Sequence, residues 1–204
     1  MFTIFVTGGI GSGKSTLVSR LGRKGAAVIL ADEVGHDNLH DSEMKAELAR
    51  AFGPEIIGDD GEIVRSALAA RAFVSDESTA RLDAITQPRL YAECLRRVAK
   101  AGEDHEVVVL EMAILDGRDD FYRNADLVAC VTTSPEVRIA RLMASRGFTE
   151  EDARNRLASQ VPEERRLAIA DVVFTNDGTV EEFERQIDSW WESDVAPRLT
   201  RGAN

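Results

Sequence analysis

Residues 8–16 read Gly8-Gly9-Ile10-Gly11-Ser12-Gly13-Lys14-Ser15-Thr16, a full match to Gly, any four residues, Gly-Lys and Ser or Thr. That spacing suits a polyphosphate. The glycines let successive backbone N–H groups turn inward onto phosphate oxygens, and a helix starting at the lysine adds its N-terminal amides. Lys14 would reach the β- and γ-phosphates, and Ser15 would place its hydroxyl on Mg²⁺. Gly9, Ile10, Gly11, Ser12, Gly13, Lys14, Ser15 and Thr16 thus form the expected nucleoside triphosphate site. A glycine-rich turn can match by chance, but the flanks argue otherwise. The apolar β-type run Phe2 to Val6 precedes the loop, and the helix-compatible Leu17, Val18 and Leu21 follow it.

Other residues could act on that phosphate. Asp32 ends the apolar run Val28-Ile29-Leu30-Ala31-Asp32. In open α/β sheets ligands bind outside the C-terminal strand ends, so an acid there could take the proton of an attacking hydroxyl. The competing role is a helix N-cap, which aspartate fills well. Glu111 closes Val107-Val108-Val109-Leu110 and could hold Mg²⁺ through water, or be a solvated strand end. Seven arginines (138, 141, 146, 154, 156, 165 and 166) share one interval with five carboxylates. Guanidinium forks suit phosphate oxygens, whereas pairs such as Glu150–Arg154 suit a salt-bridged helix face. His36, four residues after Asp32, reads as a surface histidine on the same helical face.

The elements that must position these residues are legible from pattern. Five short apolar runs (Phe2 to Thr7, Ala27 to Ala31, Glu106 to Met112, Leu127 to Thr132, Val172 to Thr175) suit strands covered on both faces. Helical segments lie between them. The predicted fold is therefore α/β, a P-loop type parallel five-stranded sheet flanked by helices. Ser134-Pro135 signs a helix start, Thr149 with Asp152 and Thr179 with Glu182 are capping-box patterns, and Pro162 marks the end of the helix from Thr149. About 75 residues separate the second and third strands, too many for one crossover helix. Residues 1–204 then form one domain, with a helical substrate-binding subdomain at about 33–105 and a helical lid at about 143–169. Trp190 and Trp191 fall in an amphipathic C-terminal helix, one expected on the core and one on the rim.

Composition narrows the partners. With 25 basic and 36 acidic residues the formal charge is −11, which disfavours nucleic acid. Cys94 and Cys130 lie in no metal-type spacing and read as free buried thiols of a reducing compartment. No apolar stretch reaches membrane-spanning length and the N-terminus lacks the basic region of a leader, so the reading is a soluble cytoplasmic protein.

Taken together, these residues resemble the dephospho-CoA kinase family. The resemblance rests on Thr7 to Thr16, on Ala31-Asp32 with His36, and on Phe52-Gly53-Pro54-Glu55-Ile56 and Asp60-Gly61 with Arg65, Leu68 and Phe73. It continues through Arg141-Leu142-Met143, Ala153-Arg154, Gln160, Glu164-Arg165, Ala170-Asp171 and Asn176-Asp177-Gly178. It implies ATP-dependent phosphorylation of the ribose 3′-hydroxyl of dephospho-CoA, with ATP and Mg²⁺ on the loop. It also implies Asp32 as base, Arg141 and the lid over the nucleotide, and Arg65 and Arg71, with His36, at the acceptor. Partners are then these small molecules, and the protein a monomer or weak homo-oligomer. Three positions depart from the family pattern: Leu30, Gln87-Pro88 and Met112-Ala113-Ile114-Leu115-Asp116-Gly117. A nucleotide or sugar kinase with another acceptor, or a non-catalytic nucleotide-binding regulator, stays open on the sequence.

Overall fold

The computed structural model describes residues 1–113 and 119–201. All five expected strands form: β1 (Phe2–Gly8), β2 (Ala27–Leu30), β3 (Val107–Glu111), β4 (Leu127–Thr132) and β5 (Val172–Thr175). They order as β2-β3-β1-β4-β5. β1 pairs in parallel with both β3 and β4, and β4 pairs in parallel with β5. Every residue of β1 after Phe2 is buried, as a central strand covered on both faces requires.

The chain divides into two compact units, Met1–Val28 with Val98–Asn204, and Ile29–Arg97. In the first, α1 (Lys14–Arg23) follows the glycine-rich loop, and α6 (Pro135–Arg146), α7 (Glu150–Ala158) and α8 (Glu163–Ala168) follow β4. The second holds α2 (Ala31–Asn38), α3 (Ser42–Phe52), α4 (Arg65–Ala72) and most of α5 (Asp76–Ala101). Its own core is Met44, Leu48, Ile56, Leu68 and Ala72, with Leu82 and Ile85 packed against it.

Local signals held where caps were expected. Thr149 Oγ1 accepts from the Asp152 amide at 3.1 Å, and Thr179 with Glu182 makes a complete capping box on α9 (Val180–Trp190). Pro162 does not end the helix from Thr149, however. That helix stops at Ala158, and Pro162 instead precedes the first turn of α8. The tryptophan pair also differs from expectation, since both rings are buried. Neighbouring helical positions point about 100° apart. Trp190 therefore meets Phe174 edge-on while Trp191 turns towards Lys24 at 5.9 Å, as the helix widens into a π turn over Trp191–Val195.

Lys24 belongs to a ladder that ties α1, and hence the loop before it, to α9. Arg20 pairs with Asp188 and Glu184, Arg23 with Glu184, and Lys24 with Asp188 at 3.0 Å. The Arg20 hydrogen bonds, then those of Lys24, hold the Asp188 carboxyl well below the usual carboxylate range. A depressed carboxylate pKa gives stability that is present above the unfolded value of about 3.9 and lost as pH falls through and below it. Asp188→Asn should therefore melt about 2–4 °C below the parent at pH 7; the gap should begin to narrow only below about pH 4, be clearly smaller at about pH 2, and close only as pH passes the depressed folded-state value. A gap unchanged between neutral and the most acidic pH in thermal melts would discount the ladder.

Candidate active site

The glycine-rich loop is held from outside so that its inner face stays free. Ser12 carbonyl accepts from Thr133 Oγ1 at 3.0 Å and from Asn176 Nδ2 at 2.8 Å. Gly13, at φ +101, caps α1 in a conformation L side chains rarely adopt, and a Cβ there would strike the Asn176 amide. The backbone amides of Gly11, Gly13 and Ser15 have no intramolecular acceptor among the described residues. Three unengaged donors at a helix N-terminus make an anion cradle. Lys14 Nζ lies 3.6 Å from Glu111 Oε1 and 3.4 Å from the Gly9 carbonyl, both longer than a tight charged contact.

Ile10 is different. Its amide donates to Gln160 Oε1 at 3.0 Å, and its carbonyl accepts from Arg138 Nε at 2.8 Å. Arg138 Nη2 also reaches Gln160 Oε1 at 2.7 Å. Ile10 therefore keys the loop to α6 and the α7–α8 connection, where its side chain packs on Ile139, Leu142 and Ala153. Sequence reasoning placed Gln160 only within a family pattern and gave it no role. Its partner lies 150 positions away, and no local signal reports such a bond.

The arginine-rich segment sorts itself by environment. Arg154 pairs with Glu150, the salt-bridged helix face weighed from sequence. Arg141 Nη2 lies 3.3 Å from Asn176 Oδ1 and 3.4 Å from the Gly178 carbonyl, while its buried Nη1 has no partner. Arg138 and Arg166 are both buried, and burial pushes both guanidinium pKa values down. Beside this segment a cavity of about 430 Å³ is lined by Thr175, Asn176, Asp177, Gly178, Phe183 and Gln186, with Glu182 at its edge.

In the second unit, Asp32 falls in the first turn of α2. It does not cap the helix, because the N-cap position is Leu30, with no side-chain cap bond. Asp32 is exposed and has no hydrogen bond or ion pair among the described residues. With Glu33, His36, Asp37 and Arg65 it lines a cavity of about 410 Å³. Asp37 is steadied by Arg97 at 2.8 Å. Arg97 in turn shares Glu93 with Arg96, and hydrogen bonds from Arg96 and then Arg97 hold the Glu93 carboxyl at about 2. Arg71 does not line this cavity; it lies further along α4, 3.6 Å from Glu55.

Of the departing positions, Leu30 is half-buried ahead of α2, and Gln87 precedes Pro88 inside α5. Met112 is buried, with its carbonyl accepting from Tyr122 Oη at 3.1 Å. Ile114 to Gly117 lie outside the described residues. Both cysteines are free and buried, and burial pushes the Cys94 thiol up to about 12 and the Cys130 thiol up to about 11. No helix among the described residues is long and apolar enough to cross a membrane.

A family model described as dephospho-CoA kinase matches residues 2–182. A dephospho-CoA kinase of Corynebacterium glutamicum is 45% identical over 190 residues, covering 91% of this chain and 94% of the relative. One from Corynebacterium efficiens is 44% identical over 205 residues, covering 98% and 99%. A Thermus thermophilus crystal structure superposes with a TM-score of 0.78 at 28% identity, covering 96% of this chain and 98% of that one. A Campylobacter jejuni dephospho-CoA kinase gives 0.73 at 24% identity, covering 93% and 95%, a likeness of fold.

Proposed function

Given that the chain belongs to the dephospho-CoA kinase family, we propose that the glycine-rich loop with Lys14 binds its ATP and that Asp32 is the base for its acceptor. The protein is a kinase of the last step of coenzyme A biosynthesis, moving the γ-phosphoryl group of ATP to the ribose 3′-hydroxyl of dephospho-CoA. The observation that carries the nucleotide assignment is the set of loop amides at Gly11, Gly13 and Ser15 that have no acceptor among the described residues, beside the Lys14 ammonium. The cavity edged by Thr175 to Gly178 is roomy enough for a purine base, and Arg141 borders it through Asn176 and Gly178.

Asp32 then accepts the proton of the attacking hydroxyl, a task its free and exposed carboxylate suits. Arg65 and His36, on the same cavity, orient the acceptor, and Arg71 serves the outer part of it. Residues 143–169 act as the lid and residues 33–105 as the acceptor-binding region. The Ser15 hydroxyl, which makes no hydrogen bond among the described residues, and the Glu111 carboxylate are hard oxygen donors that fit Mg²⁺. An ion held by them would supply charge neutralisation at the phosphates and polarisation of the transferring group. Two buried, unpaired thiols agree with work in the cytoplasm.

Acceptor identity is tested by ADP release from ATP and Mg²⁺ with dephospho-CoA, the product being weighed by mass spectrometry. A product one phosphate heavier is expected. Transfer to a sugar or nucleotide from an acceptor panel, with none to dephospho-CoA, would overturn the assignment and turn attention to Leu30 and Gln87.

A further inference from the structure

Arg166 is 3% exposed, yet its Nε has no partner and it makes no hydrogen bond or ion pair among the described residues. The acid that acts on it, Glu163, lies one turn earlier on α8 and is engaged by Thr132 Oγ1 at 2.6 Å. Taking a cation out of water without a counter-ion is among the most unfavourable arrangements a fold can keep. In a chain of net charge −11, ample carboxylates were available to neutralise it.

Its location suggests what does. α8 packs on β1 and β4. The charges of Arg166 and Lys14 both act on the Cys130 thiol of β4. Cys130 is the register partner of Thr7, and Thr7 Oγ1 is a second buried polar atom with no partner. Thr7 leads straight into the phosphate loop. Arg166, on the helix packed against β1 and β4, and Thr7, at the end of β1, thus each carry a buried polar atom with no partner among the described residues. The other buried arginine of this segment, Arg138, is already engaged by Ile10 and Gln160.

We propose that Arg166 is a catalytic residue that holds the terminal phosphoryl group of bound ATP, whose charge supplies the direct partner that the guanidinium lacks among the described residues. A planar guanidinium can give two parallel N–H donors to one phosphoryl group, and it cannot lose its proton. During transfer the bond from the γ-phosphorus to the bridging oxygen breaks and its electron pair stays on ADP. The bond to the acceptor oxygen forms, and the acceptor proton goes to Asp32. Arg166 gains and loses nothing; it matches charge on the three outer oxygens as they pass between donor and acceptor.

This inference rests on the ATP reading above, but its test needs no acceptor. Arg166→Leu and Arg166→Lys are compared with the parent in thermal melts and in titrations with Mg·ADP and with a non-hydrolysable Mg·ATP analogue. Arg166→Leu without nucleotide should melt at or above the parent, because a buried unmatched charge is gone. Its affinity for the triphosphate analogue should fall about 10–100-fold while ADP stays within about 3-fold, and kcat should fall about 10²–10³-fold. Arg166→Lys should recover part of the loss. An Arg166→Leu protein that melts well below the parent, or fails to fold, would overturn the proposal in favour of a structural role. So would equal losses for ADP and the analogue, or no loss for either. A parent that binds neither nucleotide would sink the ATP reading itself, a result distinct from all of these.

Discussion

Replacing Asp32 with asparagine should lower kcat by about 10²–10⁴, the range associated with losing a positioned general base. The structure makes this a clean experiment. Asp32 has no hydrogen bond or ion pair to lose among the described residues, and it is not the N-cap of α2. The amide has nearly the same shape as the carboxylate, so α2 and its buried Ala31 and Val34 are undisturbed. Arg65 and His36 remain on the cavity wall, so the acceptor KM should move far less than kcat. Steady-state kinetics with dephospho-CoA separate the two constants. A variant turning over near the parent rate would remove Asp32 from the chemistry, and His36 would be next to replace.

What the sequence made legible follows from the range of each interaction. Strands and caps are written in neighbouring residues. All five apolar runs became strands, with ends shifted by no more than one residue, and Thr179 and Glu182 made their capping box. The nucleotide loop is just as local, because its glycines, lysine and serine are consecutive. Contacts closed by the fold were not legible. The bonds from Gln160 and Arg138 to Ile10 span 150 and 128 positions. The 3.6 Å pairing of Arg71, on α4, with Glu55, in the turn between α3 and α4, could not be read from spacing. The seven arginines looked alike as a string; only burial and partners distinguish Arg154 on its helix face from Arg138 and Arg166 inside. The tryptophans misled for a related reason. Helical periodicity assigns one face to the core, whereas the end of α9 is enclosed on two sides, by Phe174 and by Lys24.

Lys14→Met should lower kcat/KM for ATP by about 10²–10³ while shifting the melting temperature by less than about 2 °C. Methionine keeps the length and apolar stem of lysine and removes only the ammonium. Its 3.6 Å contact with the partly exposed Glu111 is typical of ion pairs worth about 1 kcal/mol or less. With a triphosphate on the loop the ammonium would become a main counter-charge to the β- and γ-phosphates, in a site shielded from solvent, where each charge counts for more. The same atom is thus decisive in transfer through the phosphates it would meet. Lys14→Arg should not restore activity, because a longer planar fork cannot occupy the compact position between the Gly9 carbonyl and Glu111. Kinetics and melts on the two variants check this together. If Lys14→Met kept parent affinity for ATP, the phosphates would have to lie elsewhere, and the free amides of Gly11, Gly13 and Ser15 would need another anion to explain them.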